Sequence, residues 1–179
     1  MIDKIEAVIS RPIVQICWVV DDLEAAAMRW VKTLGVGPWF MSPPVSFDEL
    51  TYRGNPATLN QSSAVSCWGD IQIELFQQNC DSPSGARDMF SPGQAGIQHM
   101  TYWADNLDDE IGHWKEMDFP TVMTCRLPDI DGMRLAWFDT RPLIGVMIEA
   151  YEVNDTMRQI YQSVEQAARD WDGKDPIRG

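Results

Sequence analysis

Basic residues are scarce in this chain. It carries 14 Lys and Arg residues against 27 Asp and Glu residues, which gives a formal net charge of −13 at pH 7. An acidic surface repels nucleic acids and anionic membranes, because both carry negative charge. We therefore expect neither a nucleic acid nor a membrane as a partner. The same charge disfavours a substrate with several phosphate groups, although a local basic pocket could override the average.

Long apolar runs and paired cysteines are also missing. No run of about 18 apolar residues occurs, so no segment is expected to span a membrane. The amino-terminal residues MIDKIEAVISRP lack the basic start and the apolar stretch of a secretion signal. The four cysteines, Cys17, Cys67, Cys80 and Cys125, are scattered without a CxxC pair, which is typical of proteins in a reducing compartment. We expect a cytoplasmic protein with free thiols.

The chain does contain an internal repeat. Residues 15–35 (QICWVVDDLEAAAMRWVKTLG) align with residues 99–119 (HMTYWADNLDDEIGHWKEMDF) at a constant offset of 84 residues. Each copy reads as a short apolar strand, a turn with a capping residue at Asp21 or Asn106, and a helix with one apolar stripe. In each half, a strand with one carboxylate between apolar residues follows downstream. Duplication of one design explains the shared order of elements.

The repeat determines the expected fold. The order strand, helix, strand, strand, strand, stated twice, predicts an α+β fold of two paired βαβββ modules with helices on one face of the sheets. The first module is expected at residues 1–78 and the second at 96–153, joined by a linker at 79–95. Helical spacing after Asp155 predicts an extra C-terminal helix within 154–179. This helix has no counterpart in the first half and should dock on a module or on a second subunit.

Four polar residues fall at equivalent places in the two halves. Gln15 and His99 lie on the first strand of each predicted module, and Glu74 and Glu149 lie on the last. Side chains alternate along a strand, so all four can enter a cleft between the modules. A buried carboxylate without a partner is costly, and two carboxylates in one cavity repel each other unless a cation or a proton intervenes. If the strands instead turn both glutamates outward, water simply solvates them.

Together the four residues form a suitable metal site. One imidazole, one amide oxygen and two carboxylates suit a divalent ion such as Zn²⁺, Ni²⁺, Co²⁺, Mn²⁺ or Fe²⁺. Such an ion acts as a Lewis acid on a carbonyl oxygen, and Glu149 or Glu74 is a candidate catalytic base beside it. Taken singly, His99 could equally be a hydrogen-bonded core histidine and Gln15 a surface residue.

This pattern resembles the vicinal oxygen chelate superfamily, which includes glyoxalase I, bleomycin-resistance proteins and extradiol dioxygenases. In that family each βαβββ module supplies one metal ligand from its first strand and one from its last. The set Gln15, Glu74, His99 and Glu149 matches these positions and resembles the ligands of animal-type glyoxalase I. The phrase LGVGPWF after the first helix is similar to a glyoxalase-like subgroup, and the resemblance covers roughly residues 12–153.

The resemblance implies a metal-dependent lyase or isomerase that abstracts a proton next to a carbonyl, and we also expect a homodimer. The chain departs from animal-type glyoxalase I at Val19, where that enzyme has an arginine that grips glutathione, and at Gln78, where it has an asparagine. These changes argue against a glutathione adduct as the substrate. Two alternatives stay open, namely a non-catalytic protein that sequesters an aromatic compound, and an extradiol-type dioxygenase. The dioxygenase is disfavoured because Gln15 replaces the first of its two histidine ligands.

The aromatic residues indicate an apolar or aromatic small-molecule substrate. Five of them are candidates for lining the cleft between the modules, although each taken singly could equally belong to the core: Trp39, Phe40, Trp68, Trp103 and Tyr151.

Overall fold

The computed structural model describes residues 11–179. Residues 1–10 lie outside the described part of the chain. They include the start of the first predicted module and most of the amino-terminal stretch in which no secretion signal was found. The elements of the first half are β1 Gln15–Val19, α1 Leu23–Leu34, β2 Trp39–Ser42, β3 Asp48–Tyr52, β4 Asn55–Pro56, β5 Gln61–Trp68 and β6 Ile71–Gln78. The elements of the second half are β7 Gly96–Ala104, α2 Leu107–Glu116, β8 Thr121–Leu127, β9 Met133–Phe138, α3 Arg141–Ile144, β10 Met147–Glu152, α4 Asp155–Arg169 and β11 Ile177–Arg178.

The described strands form one sheet in the order β11-β2-β5-β6-β1-β7-β10-β9-β8-β3-β4. The two halves mirror each other in this order, because β2-β5-β6-β1 in the first corresponds to β8-β9-β10-β7 in the second. In each half the first strand pairs in parallel with the last, and β1 pairs antiparallel with β7 at the centre. The predicted α+β fold of two paired βαβββ motifs is confirmed.

The helix caps agree with the sequence-based prediction for α2 but not for α1. Asn106 caps α2 as predicted, and its side chain accepts hydrogen bonds from the backbone N–H groups of Asp108 and Asp109. The prediction of Asp21 as the cap of α1 is wrong by one residue. Asp22 takes that role by accepting a hydrogen bond from the N–H of Ala25, since the helix begins at Leu23.

Strand alternation separates the core from the site. Ile73 and Leu75 of β6 pack against α1, and Ile148 and Ala150 of β10 pack against α2. The glutamate between each apolar pair therefore projects from the other face of the sheet. The two glutamates are 8% and 1% exposed, so the alternative in which water solvates them is wrong.

Three long-range features go beyond the repeat. The β3–β4 hairpin lies in the first half of the chain but pairs with β8 of the second. Helix α4 lies on the face opposite α1 and α2, because its side chains line the cavity that holds the glutamates. The helices of the two repeats, α1 and α2, lie on one face as predicted, and the predicted extra C-terminal helix is confirmed as α4 on the other face. Beyond α4, β11 adds to the sheet edge beside β2. Within residues 11–179 no helix is long and apolar enough to cross a membrane.

Candidate metal centre and catalytic site

The centre of the sheet brings the two repeats together. On the paired central strands, Gln15 lies opposite Thr101 and Cys17 lies opposite His99. This exchange of positions is what an approximate two-fold axis between β1 and β7 produces. Gln15 and His99 are therefore equivalent residues of the two repeats, as the 84-residue offset predicts.

The two glutamates obey the same symmetry. Cys17 of β1 pairs with Glu74 of β6, and Thr101 of β7 pairs with Glu149 of β10. Each carboxylate thus enters the site from the strand beside a central strand. Cys17 and Thr101 are a second pair of equivalent residues, which the sequence analysis did not single out.

A chain of short contacts links the four predicted ligands. Nε2 of His99 lies 3.0 Å from Oε2 of Glu149 and 3.8 Å from Oε2 of Glu74. The hydroxyl oxygen of Thr101 lies 2.7 Å from Oε2 of Glu149 and 3.0 Å from Oε1 of Gln15. The amide nitrogen of Gln15 donates to Oε1 of Gln72 at 2.7 Å, so its oxygen faces the cluster. All four side chains are buried.

A β-bulge fixes the orientation of the imidazole. The register between β1 and β7 shifts next to His99, which leaves Gln98 as an extra residue on β7. The side-chain oxygen of Gln98 contacts Nδ1 of His99, so Nδ1 carries the hydrogen and Nε2 presents its lone pair to the cluster. The amide nitrogen of Gln98 in turn contacts the sulfur of Met147 at 3.2 Å.

The donor set of the cluster fits a divalent cation. Thr101 has one hydroxyl hydrogen for two neighbouring acceptors, Glu149 and Gln15. Nε2 of His99 is buried and has no hydrogen-bond donor among the described residues; it faces Oε2 of Glu149, another acceptor, at 3.0 Å. Oxygen and nitrogen lone pairs therefore outnumber hydrogens, and the carboxylates of Glu74 and Glu149 add negative charge. One ion coordinated by a histidine, an amide oxygen and two carboxylates would satisfy all of them.

The pKa shifts of the cluster also indicate that it requires positive charge. Burial raises the pKa of Glu74 to about 7; attraction by His99 opposes this shift and repulsion by Glu149 adds to it. Burial acts to lower the pKa of His99, but the carboxylates of Glu149 and Glu74 outweigh it, so the pKa is raised. A buried pair of carboxylates next to an imidazole thus requires positive charge, as a proton or as a metal ion.

Cys17 is a further candidate ligand. Its sulfur, a carboxylate oxygen of Glu74 and a ring nitrogen of His99 all lie within 4.8 Å of one another. Burial raises the pKa of the Cys17 thiol well above its usual value, and the nearby carboxylates add to the shift. A neutral thiol can hydrogen-bond to Glu74, whereas a metal-bound thiolate would add another negative charge to the cluster. Its symmetry partner Thr101 plays the hydrogen-bonding role towards Glu149.

A cavity of about 300 Å³ opens onto the cluster. Its walls come from the inner strands of both repeats, the loop 42–47, the segment 84–86 and helix α4. The side chains that decide its character are Glu74, His99, Glu149, Phe47, Phe76, Trp137, Tyr151, Met157 and Tyr161. It is a mainly apolar chamber whose charged residues, apart from Asp129, belong to the cluster, as in small-molecule sites.

Of the five aromatic residues expected to line this cleft, only Tyr151 does so. Trp39 is fully buried in the core cluster that includes α1, because it points to the helix side of β2. Phe40 lies near the sheet edge, and Trp68 at the end of β5 is 54% exposed. Trp103 packs behind the cavity wall, with its ring centroid 5.7 Å from that of Tyr151.

The structure adds aromatic residues that the sequence analysis missed. Trp137 pairs with Glu149 across β9 and β10, so strand alternation alone could have placed it in the site. Phe47 and Tyr161 reach the cavity from a loop and from α4. Their positions depend on long-range packing and carry no local signal.

Comparison with known proteins agrees with this architecture. A family model described as the Glyoxalase/Bleomycin resistance protein/Dioxygenase superfamily matches residues 14–137. Methylmalonyl-CoA epimerase from Mycobacterium tuberculosis superposes with a TM-score of 0.53 at 18% identity, over 82% of this chain and 91% of that chain. A hypothetical protein from Bacillus halodurans gives a TM-score of 0.55 at 17% identity, over 82% of this chain and 96% of that chain.

At such identities the two structures show a shared fold and nothing further. No functionally curated protein matches the chain. The family model spans well over half of the residues, including both central strands. The chain therefore belongs to the Glyoxalase/Bleomycin resistance protein/Dioxygenase superfamily.

Proposed function

We propose that this protein is a metal-dependent lyase or isomerase that removes a proton next to the carbonyl group of a small apolar or aromatic molecule. The observation that carries the proposal is the buried cluster of two carboxylates, one imidazole with a free lone pair and one amide oxygen. Membership of the superfamily supports the proposal. The fold that the chain shares with an epimerase is consistent with it.

We assign metal binding to Gln15, Glu74, His99 and Glu149. When bound, a divalent ion such as Zn²⁺, Ni²⁺, Co²⁺, Mn²⁺ or Fe²⁺ supplies Lewis acidity that stabilises negative charge on a carbonyl oxygen. The surrounding side chains support this assignment. Gln98 holds the imidazole in the tautomer that offers Nε2, and Thr101 supports both Gln15 and Glu149.

We assign proton transfer to Glu149, with Glu74 as the symmetric alternative. A carboxylate at this centre can accept a proton from the carbon beside a carbonyl. Glu149 accepts a hydrogen bond from Thr101, and its Oε2 lies 3.0 Å from Nε2 of His99, whereas Oε2 of Glu74 lies 3.8 Å from the same nitrogen. These contacts give Glu149 the defined orientation that a catalytic base needs, and Glu74 is tested as the alternative.

Exchange of a substrate α-hydrogen with deuterated solvent tests this proposal. Proton-transfer groups typically contribute about 100- to 10,000-fold to a rate. Exchange should therefore fall by that order in Glu149→Gln, which keeps an oxygen ligand but lacks the acceptor, while metal content stays unchanged. Glu74→Gln measures the alternative base in the same assay.

Two results would contradict the proposal. Undiminished exchange in both variants would exclude carboxylate base catalysis. No exchange by the wild type across a broad panel of carbonyl compounds would favour the second candidate, a protein that binds an aromatic compound without chemistry. The apolar walls of the cavity favour that candidate.

An extradiol-type dioxygenase is the third candidate and has less support. That chemistry uses two histidine ligands in the resembling enzymes, and Gln15 stands in place of the first. The other histidine of the chain, His113, lies on α2 and does not line the cavity.

We also propose that the protein forms a homodimer and resides in the cytoplasm. All four cysteines are free in the structure, which suits a reducing compartment. Analytical ultracentrifugation tests the dimer, and a monomer at micromolar concentration would contradict it.

A further inference from the structure

Helix α4 completes the cavity although it lies outside both repeats. It follows the last strand of the second repeat and contacts β5 and β6 of the first. Met157, Ile160 and Tyr161 face the cavity from it. Asn154 caps its first turn by accepting a hydrogen bond from the N–H of Met157. Beyond its last turn, Trp171 packs on Gly37. The helix is thus anchored at both ends and spans the two halves of the site.

Tyr161 carries an unexplained polar group into this apolar region. Its ring lies edge-on to Trp103 and Tyr151, with centroid separations of 5.1 and 6.4 Å. These contacts fix the ring, while the hydroxyl group is buried and has no hydrogen-bond partner within residues 11–179. Buried hydroxyl groups nearly always find a partner, so this one calls for an acceptor that the described residues do not supply. Burial and the carboxylates of Glu149 and Glu74 raise the pKa of Tyr161 well above its usual value, which keeps the hydrogen available for donation.

The charge of the cavity limits what that ligand can be. In the described part of the chain, no Lys or Arg residue lines the cavity. The ionisable residues on its walls are Glu74, Glu149, Asp129 and His99, together with Tyr151 and Tyr161. Away from the metal centre, a carboxylate or phosphate of a ligand would meet no cationic side chain and would have to lose its hydration. A volume of about 300 Å³ suits a compound of modest size.

We propose that α4 is part of the ligand site and that Tyr161 donates its hydroxyl hydrogen to an acceptor oxygen of a neutral aromatic carbonyl compound. This inference rests on the proposed function and narrows its substrate class. One carbonyl oxygen of the compound faces the metal centre, and a second acceptor group meets Tyr161. A second, acidic group on the substrate is excluded, because no cationic side chain among the described residues lines the cavity beyond the metal centre.

Three probes of matched shape test the proposal by isothermal titration calorimetry. Para-diacetylbenzene has two carbonyl acceptors, para-ethylacetophenone has one, and para-acetylbenzoate carries a negative charge. Wild-type protein should bind para-diacetylbenzene about 3- to 10-fold more tightly than para-ethylacetophenone, the range expected for one neutral hydrogen bond. It should bind para-acetylbenzoate more weakly than either neutral probe.

Tyr161→Phe removes only the hydroxyl group and keeps the packing of the ring. It should abolish the difference between the two neutral probes while it leaves the affinity for para-ethylacetophenone unchanged. Gln162→Ala, an exposed change on the same helix, is the matched control and should alter none of the affinities. A merely structural role of Tyr161 would instead weaken both neutral probes equally.

The proposal is overturned if neither neutral probe binds, if the difference persists in Tyr161→Phe, or if para-acetylbenzoate binds as tightly as para-diacetylbenzene. Metal content and hydrogen exchange measured on the same samples separate this result from the proposed function. If α-hydrogen exchange is retained and Tyr161→Phe still prefers para-diacetylbenzene over para-ethylacetophenone, only the role of Tyr161 is refuted. If the preference for para-diacetylbenzene depends on Tyr161 but the protein shows neither bound metal nor hydrogen exchange, only the proposed enzyme function is refuted.

Discussion

Thr101 and Cys17 show how single residues support the candidate metal centre. They occupy equivalent positions on the two central strands, and each lies beside one glutamate. Thr101 contacts both Glu149 and Gln15 through its hydroxyl group. Residues that orient metal ligands affect metal binding even though they do not touch the ion. The sequence pointed to the four candidate ligands because they differ from their apolar neighbours, whereas the contacts of these two supporting residues depend on the pairing of distant strands.

We predict that Thr101→Val lowers metal affinity. Valine matches threonine in shape but cannot hydrogen-bond to Glu149 or Gln15, so both ligands lose their support. Loss of such a supporting residue typically weakens metal binding about 10- to 100-fold, measurable by competition with a chromophoric chelator. Thr124→Val is the matched control, because Thr124 pairs with Thr51 away from the cavity. Equal affinity of wild type and Thr101→Val would show that Thr101 does not position the ligands.

At the scale of elements, local pattern predicts the central strands and helices well. The alternation around Glu74 and Glu149 placed both on the face away from the helices, and burial confirms it. Errors arise where partners are distant in sequence. The β-bulge at Gln98, the pairing of β3 with β8 and the docking of α4 all depend on contacts between separate parts of the chain. For the same reason four of the five cleft-lining aromatic residues were misplaced.

The attachment of the C-terminal segment to α1 and β2 gives a prediction at this scale. A methyl group added at Gly37 would lie 2.8 Å from ring carbons of Trp171. Overpacking of this kind costs about 1–3 kcal/mol, so Gly37→Ala should lower the free energy of unfolding in urea titrations. Gly112→Ala is the same chemical change in open space within α2. It should raise the free energy of unfolding by about 0.5–1 kcal/mol, since alanine is the better helix former.

We expect the two glycine variants to change the free energy of unfolding in opposite directions, so the two measurements can be compared directly. A Gly37→Ala protein as stable as the wild type would mean that Trp171 does not pack closely on this position. The segment after α4 would then not anchor the helix over the cavity as described.

At the scale of the whole molecule, the two-fold relation between the repeats explains the site. Pairing β1 with β7 brings Gln15 and His99 to the axis, and the parallel partners of these strands bring Glu74 and Glu149. A repeat in the sequence therefore predicted both the fold and the convergence of four residues. The proposed boundary at 79–95 stays a prediction. Residues 84–86 of that segment line the cavity, so it contributes to the site as well as joining the halves.

The most direct test of the central claim is the metal content of the purified protein, measured by inductively coupled plasma mass spectrometry. We predict one divalent ion per chain in the wild type and no stoichiometric metal in His99→Ala, with a lower melting temperature because bound metal stabilises the native state. His113→Ala, the matched change at the other histidine of the chain, should keep full metal content. Full metal content in His99→Ala, or a wild-type protein that binds no divalent ion, would contradict the account.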